Sequence, residues 1–140
     1  MSDPVQRLRD QLEIRELTAR YNRAFDDGDA DAYAATFVPD GSMEATGIPR
    51  AEGHDALKGL VRQTPYGIVH ITTDPIIEID GDRAVQHCTL IVANRHEDRS
   101  PVTFGTTGRY DDELVRTADG WRFTSRVAVL DGDLVPEPAQ

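Results

Sequence analysis

The hydrophobic pattern changes period near the middle of the chain, and that change dictates the order in which helices and strands can occur. Ile14, Leu17, Tyr21, Ala24 and Phe25 recur at spacings of three and four, which places them on one helix face. Charged Arg15, Glu16, Arg20 and Arg23 fall largely off that face. Gly28 supplies a left-handed stop, and Asp29 caps a short second helix carrying Tyr33 and Phe37. Val38-Pro39-Asp40-Gly41 ends it with turn chemistry. A third short helix is expected from Asp55 to Arg62, with Leu57, Leu60 and Val61 turned inward.

Beyond this point the period falls to two. Ile68 to Thr73 is β-branched, and Ile76 to Ile79 runs on toward the hairpin signal Asp80-Gly81. Ala84 to Ala93 and Val102 to Tyr110 read as strands, and Ala118-Asp119-Gly120 turns into a last one, Trp121 to Leu130. Helices followed by an antiparallel meander define an α+β order, since a parallel sheet would alternate strand and helix. One long helix across a curved sheet leaves a cavity inside the resulting cone. The 140 residues fit one domain, expected over 1–134, with an irregular tail at 135–140.

Composition narrows the partners. The chain is 39% apolar, enough for a core, and carries a net charge of −10, which repels phosphate backbones and anionic lipid. Neither nucleic acid nor a membrane surface is expected to bind. The single cysteine, Cys88, forms no intrachain disulfide, which suits a reducing cytoplasm, and its apolar setting reads as buried. No apolar run approaches membrane-spanning length and the N-terminus lacks a signal-peptide core, so a soluble, cytoplasmic protein is expected. His54, His70, His87 and His96 show no metal-ligand spacing. Without a glycine-rich phosphate loop or a Gly-x-Ser-x-Gly elbow, no cofactor and no serine nucleophile are expected. Gly105-Thr106-Thr107-Gly108 reads as a strand with close backbone packing.

Longer motifs carry a resemblance. Glu13-Ile14-Arg15-Glu16-Leu17, Tyr21 and Phe25-Asp26-Asp27-Gly28-Asp29 resemble the opening of SnoaL-like proteins of the NTF2-like superfamily. Phe37-Val38-Pro39-Asp40-Gly41, Val69-His70-Ile71, Ile79-Asp80-Gly81-Asp82-Arg83-Ala84, Gly108-Arg109-Tyr110 and Asp119-Gly120-Trp121-Arg122-Phe123 follow in the family's order. The resemblance implies a cone of N-terminal helices on a curved, mainly antiparallel sheet enclosing a pocket. It also implies candidate residues. Scytalone dehydratase and hexachlorocyclohexane dehydrochlorinase use a His–Asp pair inside the cone, and the matching positions here are His70 and Asp26. Arg126 falls where the dehydrochlorinase has an arginine, and Asn94 where the dehydratase has its second histidine. Tyr21 is expected to point into the same space.

Those residues permit elimination or isomerisation without a cofactor. Imidazole titrates near roughly pH 6.5 in its unperturbed form, which suits a base aimed at a C–H proton. A carboxylate on one ring nitrogen fixes the tautomer and stabilises the imidazolium that forms. Arg126 would stabilise developing negative charge, while Asn94 and Tyr21 would orient a substrate oxygen. The expected ligand is a small apolar molecule. Each residue also has a plain structural reading: His70 as a core histidine, Asp26 as a solvated helix-end charge, Arg126 as a salt-bridge residue, Asn94 as a strand-end turn residue, Tyr21 as packing. The alternatives in function are a non-catalytic ligand-binding or interaction module of the same fold, or an enzyme resembling limonene epoxide hydrolase.

Strand 84–93 has apolar residues on both faces: Ala84, Cys88, Leu90 and Val92 on one, Val85, Ile91 and Ala93 on the other. A pocket wall needs only one such face, so a homodimer or homotrimer covering the outer one is expected.

Overall fold

The computed structural model describes residues 3–133, and the tail expected at 135–140 lies outside them. Helix α1 (Pro4–Asp26) is followed by α2 (Ala30–Ala34), β1 (Phe37–Ala45), β2 (Ile48–Glu52) and α3 (His54–Gln63). Four long strands complete the chain: β3 (Ile68–Asp80), β4 (Arg83–Asn94), β5 (Thr103–Thr117) and β6 (Gly120–Leu130). Six strands form one sheet in the order β2-β1-β6-β5-β4-β3. The α+β cone expected from the sequence is the observed architecture.

Helix α1 starts where Asp3 accepts a hydrogen bond from the Val5 amide and Pro4 needs no donor partner. It stops at Gly28, whose φ of 73° is the left-handed conformation glycine adopts freely. Its apolar stripe, Ile14, Leu17, Tyr21 and Ala24, is buried against a core built from Leu90 and Val92 of β4, Tyr110 and Leu114 of β5, and Trp121 and Phe123 of β6.

The sheet differs from a simple meander in its first two strands. Phe37 begins β1 rather than lying on α2, and Val38-Pro39-Asp40-Gly41 runs inside that strand rather than ending a helix. The pairing partner explains the difference: Phe37 sits opposite Phe123, and the Phe123 amide donates to the Thr36 carbonyl at 2.9 Å. The β1–β6 ladder is parallel and breaks register between Phe37 and Ser42, where Pro39 and Gly41 need form no ladder bonds. Ile68–Thr73 and Ile76–Ile79 belong to one strand with a bulge between them, at which Asp74 takes a φ of 55°. Gly108 bears out the close approach expected of its segment, since a Cβ there would lie 2.5 Å from the Val129 carbonyl oxygen.

The N-terminal half of α1 is clamped by a carboxylate. Asp10 is buried, accepts Arg116 Nη1 and Nη2 at 2.6 and 2.9 Å, and receives Trp121 Nε1 at 3.1 Å. The Arg116 hydrogen bonds, helped by Trp121 and Gln6, hold the Asp10 carboxyl down from its ordinary 3.8 to about 2. Among the larger side chains left exposed, Ile71 and Ile76 of β3 and Phe104 of β5 belong to the sheet.

Two outcomes follow. Asp10→Asn is expected to destabilise the fold by about 1–3 kcal/mol at neutral pH. A depressed folded-state pKa contributes stability above the unfolded value and loses it as pH falls through the folded one. The gap between wild type and variant in urea unfolding should therefore shrink between about pH 4 and pH 2. Light scattering at micromolar concentration is expected to give two or three times the chain mass of 15.5 kDa, with Phe104→Asp lowering it. A wild-type mass near 15.5 kDa would show that the outer face stands uncovered.

Candidate functional site

Helix α1 carries a second stripe beside its apolar one: Thr18, Asn22 and Asp26, four residues apart. Four helical residues advance about 6 Å, and two strand residues advance about 6.6 Å. Side chains at i and i+4 of α1 can therefore bond to alternate residues of a strand running beside it in the opposite direction. This is what occurs. Asp26 reaches His70 and Asn22 Nδ2 donates to Thr72 Oγ1 at 3.0 Å. Where β3 bulges, the third rung falls on β4, with Gln86 Nε2 donating to Thr18 Oγ1 at 2.9 Å.

The first rung is the tightest. His70 Nδ1 lies 2.7 Å from Asp26 Oδ1, and the His70 backbone amide also donates to the carboxylate at 3.1 Å. Since a carboxylate paired in this way accepts, Nδ1 carries a proton, and in the neutral imidazole Nε2 is the nitrogen with the lone pair. The two side chains are only 8% and 14% exposed, so water does little to weaken the bond. Phe25 packs edge-on against the imidazole with centroids 4.8 Å apart, and Arg95 Nη2 donates to the Asp26 carbonyl at 3.1 Å.

Both residues line a cavity of about 690 Å³ between α1, β3 and β4. Thr18, Asn22, Thr72 and Gln86 give it a polar interior; Ala19, Val69, Pro75 and Cys88 supply apolar wall. Burial pushes the Cys88 thiol up, away from a thiolate nucleophile.

The other three candidates are not among its lining residues. Tyr21 is packed in the core, with its hydroxyl receiving Tyr33 Oη at 3.2 Å. Arg126 is fully buried beneath the cavity, its Nε 2.9 Å from Asp112 Oδ1 and its guanidinium against the rings of Tyr110, Tyr21 and Phe123. Asn94 ends β4 opposite Ile68 and Thr103. Thr18, Asn22, Thr72 and Gln86 escaped the sequence reading, although Asn22 and Thr18 can be found by counting back in fours from Asp26. Among the described residues, no three His, Cys, Asp or Glu side chains cluster as a metal site, and no helix is long and apolar enough to cross a membrane.

A curved sheet closed by one long helix over a His–Asp-lined cavity defines an NTF2-like cone. An NTF2-like protein with a cystatin-like fold from Novosphingobium aromaticivorans superposes with a TM-score of 0.83 at 28% identity, covering 95% of this chain and 94% of that one. A Mycobacterium tuberculosis protein of unknown function gives 0.83 at 27% identity, covering 94% and 78%. Uncharacterized Mycobacterium tuberculosis and Mycobacterium bovis proteins are 29% identical over 131 residues, 88% of this chain and 86% of theirs. The SnoaL-like domain matches residues 6–127, and the chain belongs to that family. Its fold hosts dehydratases, isomerases and polyketide cyclases.

The buried Asp112–Arg126 pair generates a prediction of its own. Removing one partner, as in Asp112→Leu or Arg126→Met, is expected to destabilise the protein by about 3–5 kcal/mol, because the other charge is left unpaired in the core. Removing both should be milder than either single change, which urea unfolding of the three variants checks.

Proposed function

We propose that the chain is a cofactor-independent enzyme of the lyase or isomerase type, with His70 as general base and Asp26 as its orienting partner. The observation that carries this reading is the 2.7 Å bond between His70 Nδ1 and Asp26, made within a cavity and out of bulk water. With Nδ1 engaged, Nε2 is the basic nitrogen, and a substrate C–H made acidic by a neighbouring carbonyl is the proton it takes. The carboxylate stabilises the imidazolium formed in that step. Proton return at a second carbon gives an isomerisation, and loss of a hydroxyl or other leaving group gives an elimination. Neither outcome requires a metal or a nucleotide.

The test is exchange of α-protons for deuterium in cyclic ketone probes, 2-cyclohexenone and 1-indanone, followed by proton NMR in D2O. His70→Ala is expected to slow protein-catalysed exchange by roughly 10²–10⁴. Asp26→Asn should slow it as well, because an amide can donate to Nδ1 and favour the wrong tautomer. Equal exchange by wild type and His70→Ala would leave the cavity as a binding site without general-base chemistry.

A further inference from the structure

The cavity floor holds an amide whose orientation the core dictates. Gln86, 1% exposed, uses Nε2 twice: toward Thr18 Oγ1 at 2.9 Å and toward Asp112 Oδ2 at 2.9 Å. Asp112 is paired with Arg126, so it is an acceptor and only the NH2 end of Gln86 can face it. The guanidinium is in turn held among Tyr110, Tyr21 and Phe123, with the Tyr110 ring centroid 3.5 Å away. Arg126 thus fixes Asp112, and Asp112 fixes the amide. Gln86 Oε1 receives no donor from the described residues and keeps open surface in the cavity that Gln86 lines. Thr18, having received an Nε2 proton, keeps its own hydroxyl proton to give.

A second residue of the same lining also holds an oxygen without a donor, this one closed off from solvent. Asn22 is 8% exposed, its Nδ2 is committed to Thr72, and its Oδ1 has no hydrogen-bond partner. A buried acceptor without a donor is costly, and one such oxygen on Asn22 beside the open, undonated oxygen of Gln86 in a single cavity lining points to a ligand that brings donors.

We infer that the cavity selects ligands bearing a hydrogen-bond donor such as a hydroxyl, and that Gln86 Oε1 is the acceptor that reads it. Asn22 Oδ1 offers the second acceptor one helical turn from Asp26. The inference deepens the proposed site and takes the cavity as its working centre, but it does not require His70 to move a proton. It replaces a purely apolar ligand with a hydroxylated one. A site built to bond a hydroxyl discriminates strongly against the analogue that lacks it, because the buried acceptor is then left unpaired. Asp112 and Arg126 act through Gln86 as positioning residues.

The experiment compares 2-naphthol with 2-methylnaphthalene, which replaces hydroxyl by methyl at nearly constant shape. Dissociation constants come from chemical-shift titration of the 15N-labelled full chain. The quantity read is the methyl-to-hydroxyl ratio of constants, whose change between proteins cancels the probes' different water solubilities. Gln86→Met, close in length and lacking the acceptor, is expected to lower that ratio by about tenfold relative to wild type. Should the variant not fold, the Gln86 side-chain amide resonance in the wild type is the second readout: it should shift with 2-naphthol and not with its methyl counterpart. An unchanged ratio, an amide resonance indifferent to the hydroxyl, or no binding of either probe overturns the inference. Loss of the His70-dependent exchange with the ratio intact removes the proton-transfer reading and leaves this one standing.

Discussion

Helix α1 is held against the sheet by two carboxylates, and the rest of the molecule depends on that arrangement. Asp10 grips Arg116 and Trp121 near one end, while Asp26 grips His70 at the other. Sixteen residues of helix separate them, roughly 24 Å of rod. A helix pinned at both ends cannot roll, so its two stripes keep their assignments. Ile14, Leu17, Tyr21 and Ala24 stay in the core, and Thr18, Asn22 and Asp26 stay on the cavity. The cavity exists because the second stripe is short and polar: Thr and Asn tie themselves to the facing strands without filling the space between.

The core beneath is unusual in burying a charge pair among aromatic rings. Arg126 and Asp112 both have fully buried side chains, and an ion pair so placed contributes little net stability against a hydrophobic replacement of the same volume. Ring faces compensate the guanidinium in part, since three aromatic side chains surround it. What the pair gives in return is direction. It orients an amide at the cavity floor that apolar packing alone would leave free to turn.

How much of this was legible in the sequence depended on whether the signal was local. The helix face of α1 and strands β4 and β6 were readable because each carries its own period over ten residues or more. Strand β1 was not, because Val38-Pro39-Asp40-Gly41 has turn composition and its strand conformation is imposed by a parallel partner about 85 residues later. The Asp26–His70 contact spans 44 positions, so only the family resemblance pointed to it. Tyr21 and Arg126 were given to the cavity by the resemblance, and neither a matched position nor a periodicity reports how deep a side chain sits. A helix stripe and a strand face that look inward meet both the core and the cavity, and only packing separates the two.

A second His–Asp pair in the same molecule shows what sets the first one apart. His87 Nδ1 lies 2.7 Å from Asp111 Oδ1, the same separation as in the His70–Asp26 pair. Yet the two side chains are 56% and 43% exposed on the outer face of the sheet. Water and salt there screen the attraction, and the imidazole keeps its freedom to exchange that bond for one to solvent. At His70 the carboxylate also takes the backbone amide, an aromatic edge closes over the ring, and the free nitrogen belongs to a cavity residue. Distance is common to both pairs, so it is not what distinguishes them. What differs is desolvation and the over-determined placement of one imidazole, and both come from helix α1 lying where its two carboxylates hold it.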